Sequence, residues 1–189
     1  MEAFSIETLP ATPWRNGGGV TREIAVSPPG AGFGDFLWRV SLATVAADGP
    51  FSVFAGIDRQ IMLIEGEGLQ LRSDDGAIDH RLDTPHEPFS FSGDVAIHGT
   101  LIAGKTLDFN VMSRRGFGTP ELRVETETTT LKVAPCGVLL CLAGGWDVAG
   151  HELRKGDGLR WIDAPVARRL VPDGSDAAIA VATWRPIGD

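Results

Sequence analysis

The chain has 189 residues, 43% of them hydrophobic and 22% charged, with a formal net charge of −8, a composition that excludes global disorder and a fibrous fold. Its acidity repels a nucleic-acid backbone and no cluster of Lys and Arg offsets it, which excludes nucleic acid as a partner. No apolar run reaches the roughly 20 residues that cross a bilayer, and the start is polar, so a cytoplasmic protein with no membrane partner is expected.

The 24 glycines and 12 prolines exceed average usage, which is about 12% for the two together, and they fall between short apolar runs. Expected strands lie at 20–26, 36–46, 60–65, 69–73, 95–103, 106–112, 122–134, 138–143, 158–163 and 177–184. Turn residues at most of the gaps make this the punctuation of an all-β chain. No apolar period of 3.6 is sustained over three turns, so helices should be few and short.

Ahead of the first strand stands Thr12-Pro13-Trp14-Arg15-Asn16-Gly17-Gly18-Gly19, the most distinctive stretch of the chain. Consecutive glycines are costly to order and imply special backbone angles or close approach. No Gly-Lys-Ser/Thr follows, which excludes a phosphate loop. Two readings stand: an Asn-Gly hairpin turn with Trp14 packed beneath it, or a ligand loop. In the second, Trp14 is a wall, Arg15 and Asn16 are polar anchors, and the N–H groups of Gly17 and Gly18 are donors.

Along 36–42, alternation sets Trp38, Val40 and Leu42 on one face and Leu37, Arg39 and Ser41 on the other. Asp58 beside Arg59 reads as a solvated salt bridge or a turn. The segment from Gly66 to Gly68, between two apolar runs, reads as a tight hairpin. His80, His86, His98 and His151 form no HxH or HExxH spacing, so no local metal site is expected. In 107–112, Asp108, Asn110 and Met112 oppose Leu107, Phe109 and Val111. A strand with one polar face normally shows it to water; two such strands with hydrogen-bonding groups among apolar residues could equally line the mouth of a barrel.

The polar stretch at 113–120 places a boundary between a larger half, 1–115, expected to hold the pocket, and a smaller half, 116–189. The smaller half repeats the logic of the larger: an apolar strand, a Gly144-Gly145 turn, Trp146-Asp147-Val148, then a run through Gly156-Asp157 to Leu159. Cys136 and Cys141, if both in one strand, point to opposite faces and are read as buried free thiols of a reducing compartment. No Cys/His cluster, nucleophile elbow or dinucleotide fingerprint occurs.

The stretch 14–23, Phe36-Leu37-Trp38-Arg39-Val40-Ser41-Leu42-Ala43, Gly49-Pro50-Phe51-Ser52, Gly56-Ile57-Asp58-Arg59, Phe91-Ser92-Gly93-Asp94 and Asp108-Phe109-Asn110-Val111-Met112-Ser113-Arg114 resemble, in order and spacing, the HutD/Ves family. The resemblance covers about 13–115. It implies an all-β, cupin-like (RmlC-like) double-stranded β-helix with two β-barrel halves in one chain, a bicupin, and a link to histidine utilisation. Metal-binding cupins carry His ligands where this chain has Phe51-Ser52-Val53-Phe54, and that departure implies a metal-free pocket with no cofactor. The ligand-binding residues then expected are Trp14, Arg15, Asn16, Gly17, Gly18, Thr21, Glu23, Arg39, Ser41, Phe51, Arg59, Asp108, Asn110 and Met112. Arg39 should matter most, through charge-assisted bonds to a carboxylate.

The expectation is a metal-independent protein that binds a small carboxylated metabolite, such as formylglutamate or urocanate, as a sensor or regulator of amino-acid catabolism. A homodimer is compatible with it. One alternative is a cofactor-free isomerase or hydrolase in which Glu23 or Asp108 moves a proton. Another is a structural partner protein that uses the pocket-facing strands as an interface.

Overall fold

The computed structural model describes residues 1–164 and 167–186. Among them are nineteen strands and no helix: β1 (Glu2–Ser5), β2 (Ala11–Pro13), β3 (Gly19–Ser27), β4 (Trp38–Val45), β5 (Gly49–Pro50), β6 (Ile57–Glu65), β7 (Leu69–Ser73), β8 (Asp79–Leu82), β9 (Pro88–Ser92), β10 (Ile97–Leu101), β11 (Thr106–Arg114), β12 (Gly118–Glu125), β13 (Thr129–Leu131), β14 (Gly137–Ala143), β15 (Gly145–Val148), β16 (His151–Arg154), β17 (Asp157–Trp161), β18 (Arg168–Pro172) and β19 (Ala178–Pro186). No helix among these residues is long and apolar enough to cross a membrane.

The chain divides into two compact units, one formed by Pro10–Phe117 and the other by Met1–Leu9 together with the described residues from Gly118 onward. The first nine residues thus leave the half in which the sequence reading put them. Their strand β1 pairs antiparallel with β17, from Glu2 opposite Arg160 to Ser5 opposite Asp157. Gly158 admits the Phe4 ring there, since a Cβ at Gly158 would stand 2.2 Å from it.

In the first unit, a six-stranded sheet ordered β2-β3-β4-β11-β6-β9 and a four-stranded sheet ordered β5-β10-β7-β8 enclose a core. Val45, Ile61 and Leu63 of the larger sheet meet Leu69, Leu71, Leu82 and Ile97 of the smaller. The segment from Gly66 to Gly68 is not the expected hairpin: β6 pairs with β11 and β9, and β7 with β10 and β8. It carries the chain from one sheet to the other. Gly68, at φ +97°, passes so close to the strand β8 backbone that a Cβ would lie 2.1 Å from the Leu82 carbonyl oxygen.

The second unit has sheets ordered β1-β17-β14-β19-β12 and β13-β18-β15-β16, over a core that includes Leu139, Trp146, Leu159, Trp161, Leu170 and Ile179. The expected strand 122–134 is two strands, because β12 pairs with β19 while β13 pairs with β18 in the other sheet. The strand orders of the two units coincide under a shift of eight in strand number. The run β4-β11-β6-β9 answers to β12-β19-β14-β17, and β5-β10-β7-β8 to β13-β18-β15-β16. The chain is a tandem structural repeat, and the second copy serves as an internal reference for the first.

Candidate functional site

The glycine-rich stretch is the hairpin of the first reading. Strands β2 and β3 pair up to Pro13 opposite Val20, and the Trp14 N–H donates to the Gly19 carbonyl at 2.9 Å. The N–H groups expected to be ligand donors are used inside the loop. That of Gly17 goes to the Trp14 carbonyl and that of Gly18 to Asn16 Oδ1 at 3.0 Å. Trp14 packs on the core of the first unit and donates from Nε1 to Thr21 Oγ1 at 2.7 Å. Gly19 lies against strand β4, where a Cβ would stand 2.3 Å from the Thr44 carbonyl oxygen and 3.1 Å from the Trp14 ring. Arg15 and Asn16 are exposed at the tip.

Register separates this loop from the arginines. Gly19 pairs with Val45 at one end of β4, whereas Arg39 pairs with Val26 and Met112 near the other. Six strand positions are about 20 Å. The residues of the hairpin and Arg39 therefore do not form one small pocket.

Several of the other expected residues do come together. Across β4, β11 and β6, Arg39 stands opposite Met112 and Met112 opposite Arg59, Ser41 opposite Asn110 and Asn110 opposite Ile61, and Ala43 opposite Asp108 and Asp108 opposite Leu63. Ile61 and Leu63 are core residues, so this face points into the unit. Arg39, Ser41, Arg59, Asp108 and Asn110 are buried. The default of a water-facing polar side is thus overturned, because a second sheet covers that side.

Arg39 is already paired, its Nε donating to Glu23 Oε2 at 2.8 Å, with its guanidinium 5.0 Å from the centre of the Phe33 ring. Arg59 differs. It is 6% exposed, yet its contacts are long hydrogen bonds from Nη1 to the Ser52 carbonyl at 3.3 Å and from Nη2 to Asn110 Oδ1 at 3.4 Å. Among the described residues its Nε has no hydrogen-bond partner. The expected bridge to Asp58 is not made, since neighbouring residues in a strand face opposite sides and Asp58 pairs with Arg115 at 2.7 Å. Three rings surround the Arg59 guanidinium, Phe91 at 4.8 Å, Phe54 at 5.5 Å and Phe51 at 5.7 Å. Burial, with the charge of Arg39 added, pulls Arg59 down to about 10, which leaves it a cation at neutral pH.

Asp108 is fully buried. Its Oδ2 accepts from Thr106 Oγ1 at 2.7 Å, and among the described residues its Oδ1 has no hydrogen-bond partner. Burial pushes its carboxyl up to about 7 against the opposing pull of the Thr106 hydrogen bond. The register of β11 against β6 shifts between Leu107 and Asp108, and that of β3 against β4 shifts just after Glu23. Bulges of this kind re-aim side chains and are common beside functional sites.

A groove of about 500 Å³, lined by Phe33, Ser52, Val53, Phe54, Ile57 and Arg114 among others, opens on the first unit. None of the fourteen expected residues lines it. It shares walls with the arginine pair all the same: Phe33 lies over Arg39, Phe54 over Arg59, and the Ser52 carbonyl accepts from Arg59. Phe33, Phe54 and Phe91 are the residues sequence reasoning missed. Strand alternation offers a signal for Phe91 alone, which sits opposite Arg59 on β9.

The second copy of the repeat shows what the fold requires. Arg59 lies between Phe91 and Met112; the corresponding position, between Trp161 and Thr183, is Gly137. A Cβ at Gly137 would stand 2.3 Å from the Trp161 ring, so an indole fills the space that the first copy gives to a guanidinium. By the same register, Ile179 answers to Asp108 and Val181 to Asn110. At the corresponding register the second unit thus has apolar side chains in place of Asp108 and Asn110, while its own buried cation, Arg168, stacks on the Trp161 ring at 3.9 Å. Among the described residues, no three His, Cys, Asp or Glu side chains are grouped to hold a metal ion.

The family model of HutD matches residues 6–179. Protein Ves of Citrobacter koseri is 36% identical over 187 residues, 98% of this chain and 96% of the relative. HutD from Pseudomonas fluorescens SBW25, solved in a formate condition, has a TM-score of 0.84 to this chain at 28% identity and covers 97% of this chain and 98% of its own. Bacterial pirin YhhW from Escherichia coli, solved with nickel(II), has a TM-score of 0.64 at 11% identity over 98% of this chain and 99% of its own, a likeness of fold alone.

Proposed function

The chain belongs to the HutD family and has a cupin-like all-β fold, and we propose that it is a metal-independent bicupin whose first half binds a small carboxylated metabolite on Arg59. One observation carries this reading: a buried cation without a carboxylate partner, its Nε unbonded. An unpaired charge in a protein interior costs several kcal/mol, and a bound carboxylate would remove that cost through charge-assisted bonds matched to the guanidinium fork. The second unit has its own buried cation, Arg168, stacked on Trp161, but that guanidinium donates to the Ala164 carbonyl at 2.8 Å, whereas the bonds of Arg59 are long and its Nε is unbonded. Arg59 thus takes the leading place first given to Arg39, whose charge Glu23 already offsets.

Binding without turnover is the simpler reading, since the unpaired Arg59 calls for an anion and not for a reaction. A sensor or regulator of amino-acid catabolism fits the family's link to histidine utilisation, with formylglutamate or urocanate as the acid. Two buried free thiols suit a reducing cytoplasm. The test is a melting-temperature screen of formate, urocanate and formylglutamate on the wild type and on Arg59→Gln. A ligand at about 100 times its dissociation constant adds about 2.7 kcal/mol, or roughly 5–11 °C for a chain of this size. The variant should lose that shift. A wild type that no acid stabilises, or a variant that responds equally, refutes the reading.

A further inference from the structure

We infer that Asp108 is a second anchor of the same site, and that the ligand is therefore a short acid carrying a hydroxyl, amide or ring N–H group a few bonds from its carboxylate. The inference rests on the reading of Arg59 as the carboxylate anchor. Asp108 and Asn110 occupy successive positions of one strand face, about 7 Å apart. Arg59 Nη2 reaches to 3.4 Å from Asn110 Oδ1. The Arg59 guanidinium and the Asp108 carboxyl thus stand on the order of 10 Å apart, a spacing that a short bifunctional molecule bridges through a hydrogen bond at each end.

Three features mark Asp108 as a ligand contact rather than a structural group. Thr106 occupies Oδ2 alone, so Oδ1 is a buried polar atom with a vacant bonding direction. Such an atom costs free energy unless something pairs with it. The flanking residues, Ala43 and Leu63, offer no polar group. The repeat holds Ile179 at the same register, so the fold has no need of a carboxyl there. A carboxyl near neutrality can accept or donate, which matches a hydroxyl or N–H group in either state of ionisation.

The test uses a matched pair of probes, propionate and 3-hydroxypropionate, titrated by calorimetry or ligand-observed NMR into the wild type, Asp108→Leu and Arg59→Gln. A hydrogen bond to an otherwise unpaired buried group is worth about tenfold in affinity. The wild type should prefer the hydroxy acid by that factor. Asp108→Leu should bind both acids as the wild type binds propionate, and Arg59→Gln should bind neither. Equal binding of the two acids by the wild type overturns the inference without any variant and leaves the carboxylate site intact, as does a preference that survives in Asp108→Leu. A wild type that binds neither acid overturns both readings.

Discussion

Replacing Asp108 with Asn should change how stability depends on pH, and the structure sets the size of the change. In the unfolded chain this carboxyl titrates near 3.9; in the folded protein burial pushes it up to about 7. Between those values the folded state holds a proton that the unfolded state has released, so stability falls as pH rises. The contribution is whole below about pH 4 and gone above about pH 7. Three units at about 1.4 kcal/mol each give about 4 kcal/mol. Asn has nearly the same shape and titrates nowhere in this range, so Asp108→Asn removes the slope. Relative to the wild type the variant should gain up to about 4 kcal/mol between pH 4 and pH 7, or about 8–16 °C in melting temperature. Paired thermal melts across that range measure the difference and cancel every other titrating group. Parallel curves would mean that Asp108 is ionised and solvated in the folded protein, and the account of a closed interior at this position would fail.

Gly19→Ala should destabilise the first unit, since the added methyl would meet the Thr44 carbonyl and the Trp14 ring; overpacking costs about 1–3 kcal/mol, and an unchanged melting temperature would remove the close approach of hairpin to strand. Cys136 and Cys141 are buried, and burial first of all pushes their thiols up to about 12 and about 11. A thiol reagent at mildly alkaline pH should therefore modify neither in the folded protein and both after denaturation, whereas rapid native labelling would show one of them open to solvent.

The all-β character was legible because glycine and proline interrupt every apolar run before a helical period can build. Strands such as β8, Asp-His-Arg-Leu, escaped for the opposite reason: three of its four residues lie away from the core, so no alternation of apolar and polar residues announces it. The turn from Gly66 to Gly68 was misread because local residues specify a tight bend but not which sheet the next strand joins. Alternation correctly put Arg39 with Ser41 and Asp108 with Asn110 on shared faces. Whether those faces look inward depends on the second sheet, built from residues elsewhere in the chain, and so lay beyond local pattern. The same holds for the ion pair of Arg39 with Glu23 and the three rings around Arg59, which arrive from separate segments. The likeness of the two units is written in strand order and bulge position, while side chains at matching positions differ as widely as Arg59 and Gly137.

Arginine-selective NMR tests the proposed role of Arg59 as a carboxylate anchor at the atom concerned. The Nε–H resonance of Arg59, identified by its loss in Arg59→Gln, should move on titration with formate and reach saturation, while those of exposed arginines such as Arg15 drift without saturating. A resonance that stays fixed while formate changes only the exposed arginines would mean that Arg59 binds no carboxylate.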